Sequence, residues 1–457
     1  MSAREAQVRA ARLMRAAAVT VSWLGMCAAP VATQPPAAAA IDSLFAEWDN
    51  LSSPGCVLRV THHGDAVYEH AYGMADLETG TPLTANKVFY LASVSKQFTA
   101  ATAVLLALDG RLSLDDDVRR YVPELPDYGH TITIRHLLTH TSGLRDYLTL
   151  MELAGMSLEE AWTPDQILEL VARQRELNFP PGERYLYSNT GYFLIPIIVE
   201  RITGQSVRDF ADEQIFEPLG MTRTQFHDDH RRAVQDRALS YAPTDSGTYR
   251  RSFLEKFDQV GSGGVLSTVG DLAIWDRNFY TGAVGGQEFL RQLQTRGVLA
   301  NGDTIDYALG LSLSDYNGAR TVSHGGSMMG FRTHLLRFPD DRFSIVCLCN
   351  LASIDPGAIA YDVADILLAD RFDETLSVYG GHYRSSELHT DFRIRVERGT
   401  LVMEPRHRPE AKLRSLGADR FEVRTGLTLE FERDDTGDIT AARLHAGRAN
   451  GIAFVKQ

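Results

Sequence analysis

Two periodicities divide this chain. Between residues 91 and 110 apolar residues crowd at helical spacing, and Ala100-Ala-Thr-Ala-Val-Leu-Leu-Ala107 runs unbroken until Asp109-Gly110. That pattern predicts a buried helix. Residues 41–50, 163–177 (with Thr163-Pro164 as cap and first turn), 192–202, 268–280 and 356–370 also read as helices. The segment 133–143 reads as a capped helical turn stopped by Gly143. Alternating or continuous apolar runs predict strands at 56–60 and 65–72, turning at His63-Gly64, and again at 319–324, 331–338 and 342–349. From about Asp373 the pattern shortens. Phe392-Arg-Ile-Arg-Val396, Phe421-Glu-Val-Arg424 and Leu427-Thr-Leu-Glu-Phe431 alternate between Gly and Asp turns. This predicts an antiparallel all-β module over 373–457, a small barrel or sandwich.

Residues 1–40 do not read as part of the fold. Arg4, Arg9, Arg12 and Arg15 precede an apolar stretch, 16–29, and then a Pro- and Ala-rich segment to Ala40. Basic, apolar and small residues in that order predict a signal peptide and linker, and hence export to the periplasm or medium. Leu24-Gly-Met-Cys27 is a poor lipoprotein box because Met26 precedes the cysteine, so anchoring at Cys27 is not the expectation. The composition is that of an ordinary globular protein, 44% hydrophobic and 23% charged. A net charge of −13 argues against nucleic acid or an anionic membrane surface as partner. Cys347 and Cys349 alternate in a strand and share a face. With Cys56 they are expected as small buried hydrophobes, and one bridge from Cys56 to either is open in an oxidising compartment.

Three short motifs carry the chemistry. Ser93-x-x-Lys96 opens the long buried helix, and residues three apart share a helix face. A serine hydroxyl needs a neighbouring base to become a nucleophile. A lysine stripped of water loses part of its charge and can be that base. Tyr187-x-Asn189 follows at the start of an apolar helix, and His324-Gly-Gly-Ser327 lies on a strand, where glycines let a substrate approach the backbone. Other histidine pairs carry less. His136 and His140 lack the Glu that a zinc-protease helix needs, and local hydrogen bonds near a helix end are expected for them. His227-Asp-Asp-His230 reads as a solvated loop. No metal or cofactor is expected.

The order and spacing of these motifs resemble those of the penicillin-recognising serine hydrolases, in particular the class C β-lactamase-related family with its D-aminopeptidase-like and esterase-like members. Residues 42–370 carry the resemblance, in LASVSKQFTA, ITIRHLLTHTSGL, PPGERYLYSNTGY and SHGGSMMGF. It implies an α+β, β-lactamase/transpeptidase-like fold over 41–372: an antiparallel sheet flanked by helices beside a helical lobe, with the site between them. It implies Ser93 as acylated nucleophile, Lys96 as its activator, Tyr187 as proton relay and Asn189 as a tether of Lys96 and substrate. The backbone N–H groups of Ser93 and Ser327 would form the oxyanion hole, with Gly325 and Gly326 beside the substrate. The family's β-lactamases and carboxypeptidases usually have Lys-Thr-Gly where this chain has His324-Gly-Gly326. A mostly neutral histidine is a weaker clamp for a carboxylate and can still bond the Tyr187 hydroxyl. The expected substrate is therefore an ester or a D-amino-acid amide or peptide, with cell-wall peptides among the candidates. The alternatives are a slow penicillin-binding sensor on the same fold, or a D-Ala-D-Ala carboxypeptidase or β-lactamase. An α/β-hydrolase is disfavoured, because no Gly-x-Ser-x-Gly occurs. Segments 144–162 and 226–260 are expected to line or cover the cleft. Oligomeric state is not legible.

Overall fold

The computed structural model describes residues 35–252 and 256–457. Most of the leader expected over 1–40 lies outside them. Its last residues, however, are not linker: α1 (Pro35–Leu44) starts there. Proline at the first helical position and a run of alanine, the best helix former, explain the difference. Ile41 and Phe45 then anchor this end of the chain in the core, both fully buried.

Strands β1 (Cys56–His62) and β2 (Asp65–Tyr72) form the predicted hairpin. His63 and Gly64 both take positive φ at its turn, as a two-residue hairpin requires. A helical lobe follows. A 3-10 turn, Ala92–Ser95, leads into α2 (Lys96–Leu108). Then come α3 (Ile134–Leu138), α4 (Asn189–Thr203), α5 (Val269–Thr281) and α6 (Gly286–Leu293). The sheet resumes with β3 (Ser312–Tyr316), β4 (Ala319–Met328), β5 (Phe331–Phe338) and β6 (Phe343–Cys349). Helices α7 (Pro356–Leu367) and α8 (Ala369–Leu376) close this part. The strand order is β3-β4-β5-β6-β1-β2, antiparallel throughout. The central strand β6 is buried at every position, which explains why its sequence is a continuous apolar run.

Helix α2 is the centre of the molecule. Ten of its thirteen residues are buried, including every one from Lys96 to Val104, so only its last turn reaches solvent. It shares one core with Tyr147, Phe193, Trp275 and the lobe-facing side of the sheet. The helix expected over 163–177 ends at Ala172. Its continuation is drawn off by the bond from the Asn178 N–H to the Gly143 carbonyl.

The C-terminal module is an eight-stranded closed barrel running from Gly381–Ser385 to Ala449–Lys456, its last strand pairing with its first. Aromatic and aliphatic side chains such as Phe392, Leu401, Phe421 and Phe431 fill it. Its core is continuous with the back face of the sheet through Phe372 and Tyr379. Asn317, at the β3–β4 turn with φ 51°, donates its Nδ2 to the Gly399 carbonyl at 3.2 Å.

The cysteine expectation is corrected. Cys56 and Cys349 face each other across β1 and β6 and form a disulfide, while Cys347 is free and buried. Burial alone did not distinguish the three, since all are fully enclosed. The antiparallel register decided the pairing.

Candidate active site

The 3-10 turn at the head of α2 sets the site. Ala92 adopts φ 49°, a left-handed conformation that costs an alanine about 1–2 kcal/mol. The surrounding structure holds it there. Thr333 of β5 donates its hydroxyl to the Leu91 carbonyl at 2.7 Å. Gly326 of β4 lies so close that a Cβ would stand 2.2 Å from the Leu91 oxygen and 3.2 Å from the Ala92 Cβ. Glycine is thus needed at 326 for the protein's own chain, and not, as the sequence suggested, only for a substrate. This contact fixes Ser93 against the Gly325–Ser327 segment of β4.

Lys96 follows one turn on and is fully buried. Its ammonium group donates to the Ser93 hydroxyl at 3.0 Å, to Asn189 Oδ1 at 2.9 Å and to the Ser262 carbonyl at 2.6 Å. Burial pulls its pKa down to about 7, against the pull of the Asp146 carboxylate in the other direction. Near neutral pH a substantial fraction of Lys96 is a free amine with a lone pair beside the serine. Tyr187 moves the opposite way. Burial pushes its pKa well up, and a side-chain hydrogen bond with Ser93 only partly offsets this. The phenol therefore keeps its proton, which leaves Lys96 as the member of this pair able to accept one.

Asn189 is placed by a residue the sequence reading missed. The Asp146 carboxylate accepts the Asn189 backbone N–H at 2.5 Å and caps the helix Tyr147–Leu153 through Thr149 N–H. Tyr147 in turn bonds the Ser262 hydroxyl at 3.0 Å, which steadies the carbonyl that Lys96 uses.

His324 differs from expectation in its partner. Its Nε2 meets the Tyr307 hydroxyl at 2.9 Å and its Nδ1 the Gly325 carbonyl at 2.7 Å. Its ring centroid is 6.4 Å from that of Tyr187. A carbonyl only accepts, so Nδ1 carries the proton and Nε2 accepts from Tyr307. Burial and the nearby Lys96 push its pKa down to about 3. His324 is accordingly a neutral ring at physiological pH. His136 behaves as expected, its Nδ1 accepting the Thr133 N–H in a capping box. His140 does not. It is fully enclosed, its Nδ1 lies 3.1 Å from the Ser188 carbonyl oxygen and 3.2 Å from the Ser188 nitrogen, and its ring packs 4.2 Å from the Tyr187 ring centroid and 4.6 Å from that of Tyr307. His230 pairs with Asp258, away from these residues.

A cleft of about 650 Å³ opens over Ser93, Tyr187, His324 and Gly325–Ser327. Every site residue read from the sequence thus gathers in one place. The walls differ from the expected segments. Beyond the motif residues, Arg332, Thr333 and His334 of β5 and residues 354–357 line the cleft. Nothing in the local sequence marks 354–357 as a wall, because only the β6–α7 connection brings it there.

The family model described as Beta-lactamase matches residues 41–369. Among curated proteins, penicillin-binding protein 4* of Bacillus subtilis strain 168 is 35% identical over 306 residues, covering 63% of this chain and 66% of that protein. A D-aminopeptidase of Brucella anthropi is 31% identical over 323 residues, 70% of this chain and 60% of that one. The chain therefore spans less than two thirds of either relative. The structure of an octameric penicillin-binding protein homologue from Pyrococcus abyssi superposes with a TM-score of 0.64 at 24% identity, over 92% of this chain and all of that one. This likeness is one of fold, and it includes the C-terminal barrel.

Proposed function

The chain belongs to the beta-lactamase family, and on that footing we propose that it is a serine hydrolase forming an acyl-enzyme on Ser93, with an ester or a D-amino-acid amide or peptide as substrate. The observation that carries this is the buried Lys96, 3.0 Å from the Ser93 hydroxyl with its pKa drawn to about 7.

The neutral amine of Lys96 takes the Ser93 proton as the oxygen attacks the substrate carbonyl. The carbonyl oxygen becomes an oxyanion facing the backbone N–H groups of Ser93 and Ser327. Each such donor is worth about 10²–10³ in rate. Tyr187, still a phenol, delivers a proton to the leaving oxygen or nitrogen and is reprotonated from Lys96. Water then repeats the sequence on the acyl-enzyme, and Ser93 leaves with its proton restored. Asn189 holds Lys96 in line and offers its amide to the substrate.

The substrate class follows from His324. A neutral ring bonded to Tyr307 and Gly325 supplies no positive charge for a substrate carboxylate. This favours esters and D-amino-acid amides over β-lactams and carboxypeptidase substrates, and the similarity to a D-aminopeptidase supports it. Export also belongs to this proposal. The basic-then-apolar leader and the Cys56–Cys349 disulfide, a bond suited to an oxidising compartment, support it.

Initial rates on p-nitrophenyl butyrate for the purified protein and Ser93→Ala test the assignment. A rate lost in the variant establishes the nucleophile, and a rate that survives overturns it. A panel of D-amino-acid amides and cephalosporins then tests the class. Efficient cephalosporin turnover would refute the ester-or-amide reading.

A further inference from the structure

Resting on the hydrolase reading of this cleft, we propose that it selects a substrate bearing a primary ammonium group, received by the Asp355 carboxylate with His334 beside it. The cleft extends from Ser93 along β4 and β5 to the start of α7. Asp355 is the one carboxylate among the described residues that line it, and Arg332 the one fixed cation.

The two charges are not spent on each other. Arg332 folds back on its own turn, donating Nη1 to the Met329 and Phe331 carbonyls at 2.8 Å each. Asp355 is exposed to the cleft. Its Oδ1 caps α7, accepting the Gly357 and Ala358 N–H groups at 3.0 Å each. Its Oδ2 takes no hydrogen bond or ion pair from the described residues. The cap thus fixes the carboxylate and leaves one oxygen free.

His334 borders this carboxylate. It lies opposite Gly325 in the β4–β5 register, and its Nε2 is buried without a partner. A Cβ on Gly357 would stand 3.2 Å from Asp355 Oδ1 and 3.4 Å from His334 Nδ1, so the two side chains flank the same glycine. Burial pushes His334 down to about 4, with Asp355 only partly opposing it. A neutral imidazole does not neutralise the carboxylate. An ammonium group, with three N–H donors and no acceptor, fits this set, whereas a carboxylate would meet Asp355 as a like charge. The ammonium can be the α-amine of a D-amino acid on the acyl side or an amine on the leaving group.

Two substrate pairs separate these sources. The first is D-alanine p-nitroanilide against its N-acetyl form. The second is N-acetyl-D-alanine amidated with ethylenediamine against the same acid amidated with n-propylamine. Each ratio is read as kcat/KM, or, for an amide that is not turned over, as inverse inhibition constants against p-nitrophenyl butyrate hydrolysis. One pair should favour the ammonium member by about tenfold, in the range of a hydrogen-bonded charge. Asp355→Asn, which keeps an N-cap residue, should bring that ratio to about one, and His334→Gln should lower it by about threefold. Flat ratios in both pairs, or a preference that survives Asp355→Asn, would overturn the proposal. Loss of ester hydrolysis in Ser93→Ala alongside flat ratios would sink the ammonium site alone and leave the hydrolase reading intact.

Discussion

Tyr307 gives its hydroxyl hydrogen to Nε2 of His324 across 2.9 Å, the donation left to it once the Gly325 carbonyl has fixed the proton on Nδ1. Tyr307→Phe removes the donor and leaves a buried nitrogen unpaired. Such a loss costs about 1–3 kcal/mol. The expected result is a folded protein with a lower melting temperature and a change in the His324 Nε2 15N shift, with the Nδ1–H tautomer kept by the Gly325 carbonyl. Unchanged shifts would mean that Gly325 alone holds the ring.

The base should show itself in the pH profile. Free-enzyme kcat/KM for a neutral ester is expected to rise with pH through an inflection near 7, where Lys96 loses its proton. His324 is already neutral there, so His324→Asn should keep that inflection. Lys96→Arg should lose at least about 100-fold, because a guanidinium does not deprotonate. An inflection that vanished in His324→Asn and survived in Lys96→Arg would transfer the role to the histidine.

Buried neutral histidines also bias stability. His324 and His334 are pushed down to about 3 and about 4 by burial. The unfolded chain binds protons on both below its ordinary range near 6.5 while the folded chain does not. Stability is therefore full above pH 6.5 and falls as pH drops toward 4. Thermal melts at pH 7.0, 6.0 and 5.0 should step down, and His334→Gln should flatten part of that slope.

Gly326→Ala would push a methyl into the Leu91 carbonyl. Ser93 would move relative to Ser327, and a misplacement of about 1 Å is worth about 10² in rate. We expect ester hydrolysis to fall by about that factor with KM nearly unchanged. Wild-type kcat in this variant would show that the Leu91–Gly326 contact does not set the site.

Below the catalytic turn, Arg337 and Asp276 form a buried pair at 3.4 Å. Arg337 also donates to Gln97 at 3.1 Å, and Ser344 donates to Asp276 at 2.9 Å. Asp276→Ala leaves a guanidinium buried without its counter-charge and should cost about 3–5 kcal/mol in denaturant unfolding. The double variant Asp276→Ala, Arg337→Met should recover part of this. A double variant no more stable than the single would point to packing instead of charge.

The motif residues were legible because local spacing carries them. Ser93 and Lys96 meet through one helical turn, and Tyr187 and Asn189 through the entry to α4. The strand run from Ala319 likewise announced His324 and its glycines. Asp146, His140, Tyr307 and Asp355 were not legible. Each reaches the site through a connection between elements, and no residue type or interval marks such a position in advance. The fold class and terminal β-module followed from periodicity and resemblance. The disulfide partner did not, since both candidates share a strand face and only the β1–β6 register distinguishes them.

That register also sets a schedule. β1 is made well before its sheet neighbour β6, which lies 293 residues later at the Cys56–Cys349 pair. Until that strand emerges, the β1–β2 hairpin has no inner partner, and a lone hairpin in water is marginal at best. The sheet is therefore completed late in synthesis, by a contact that closes nearly the whole hydrolase domain into one loop. Its two inner strands can pair only once the whole helical lobe between them has been made.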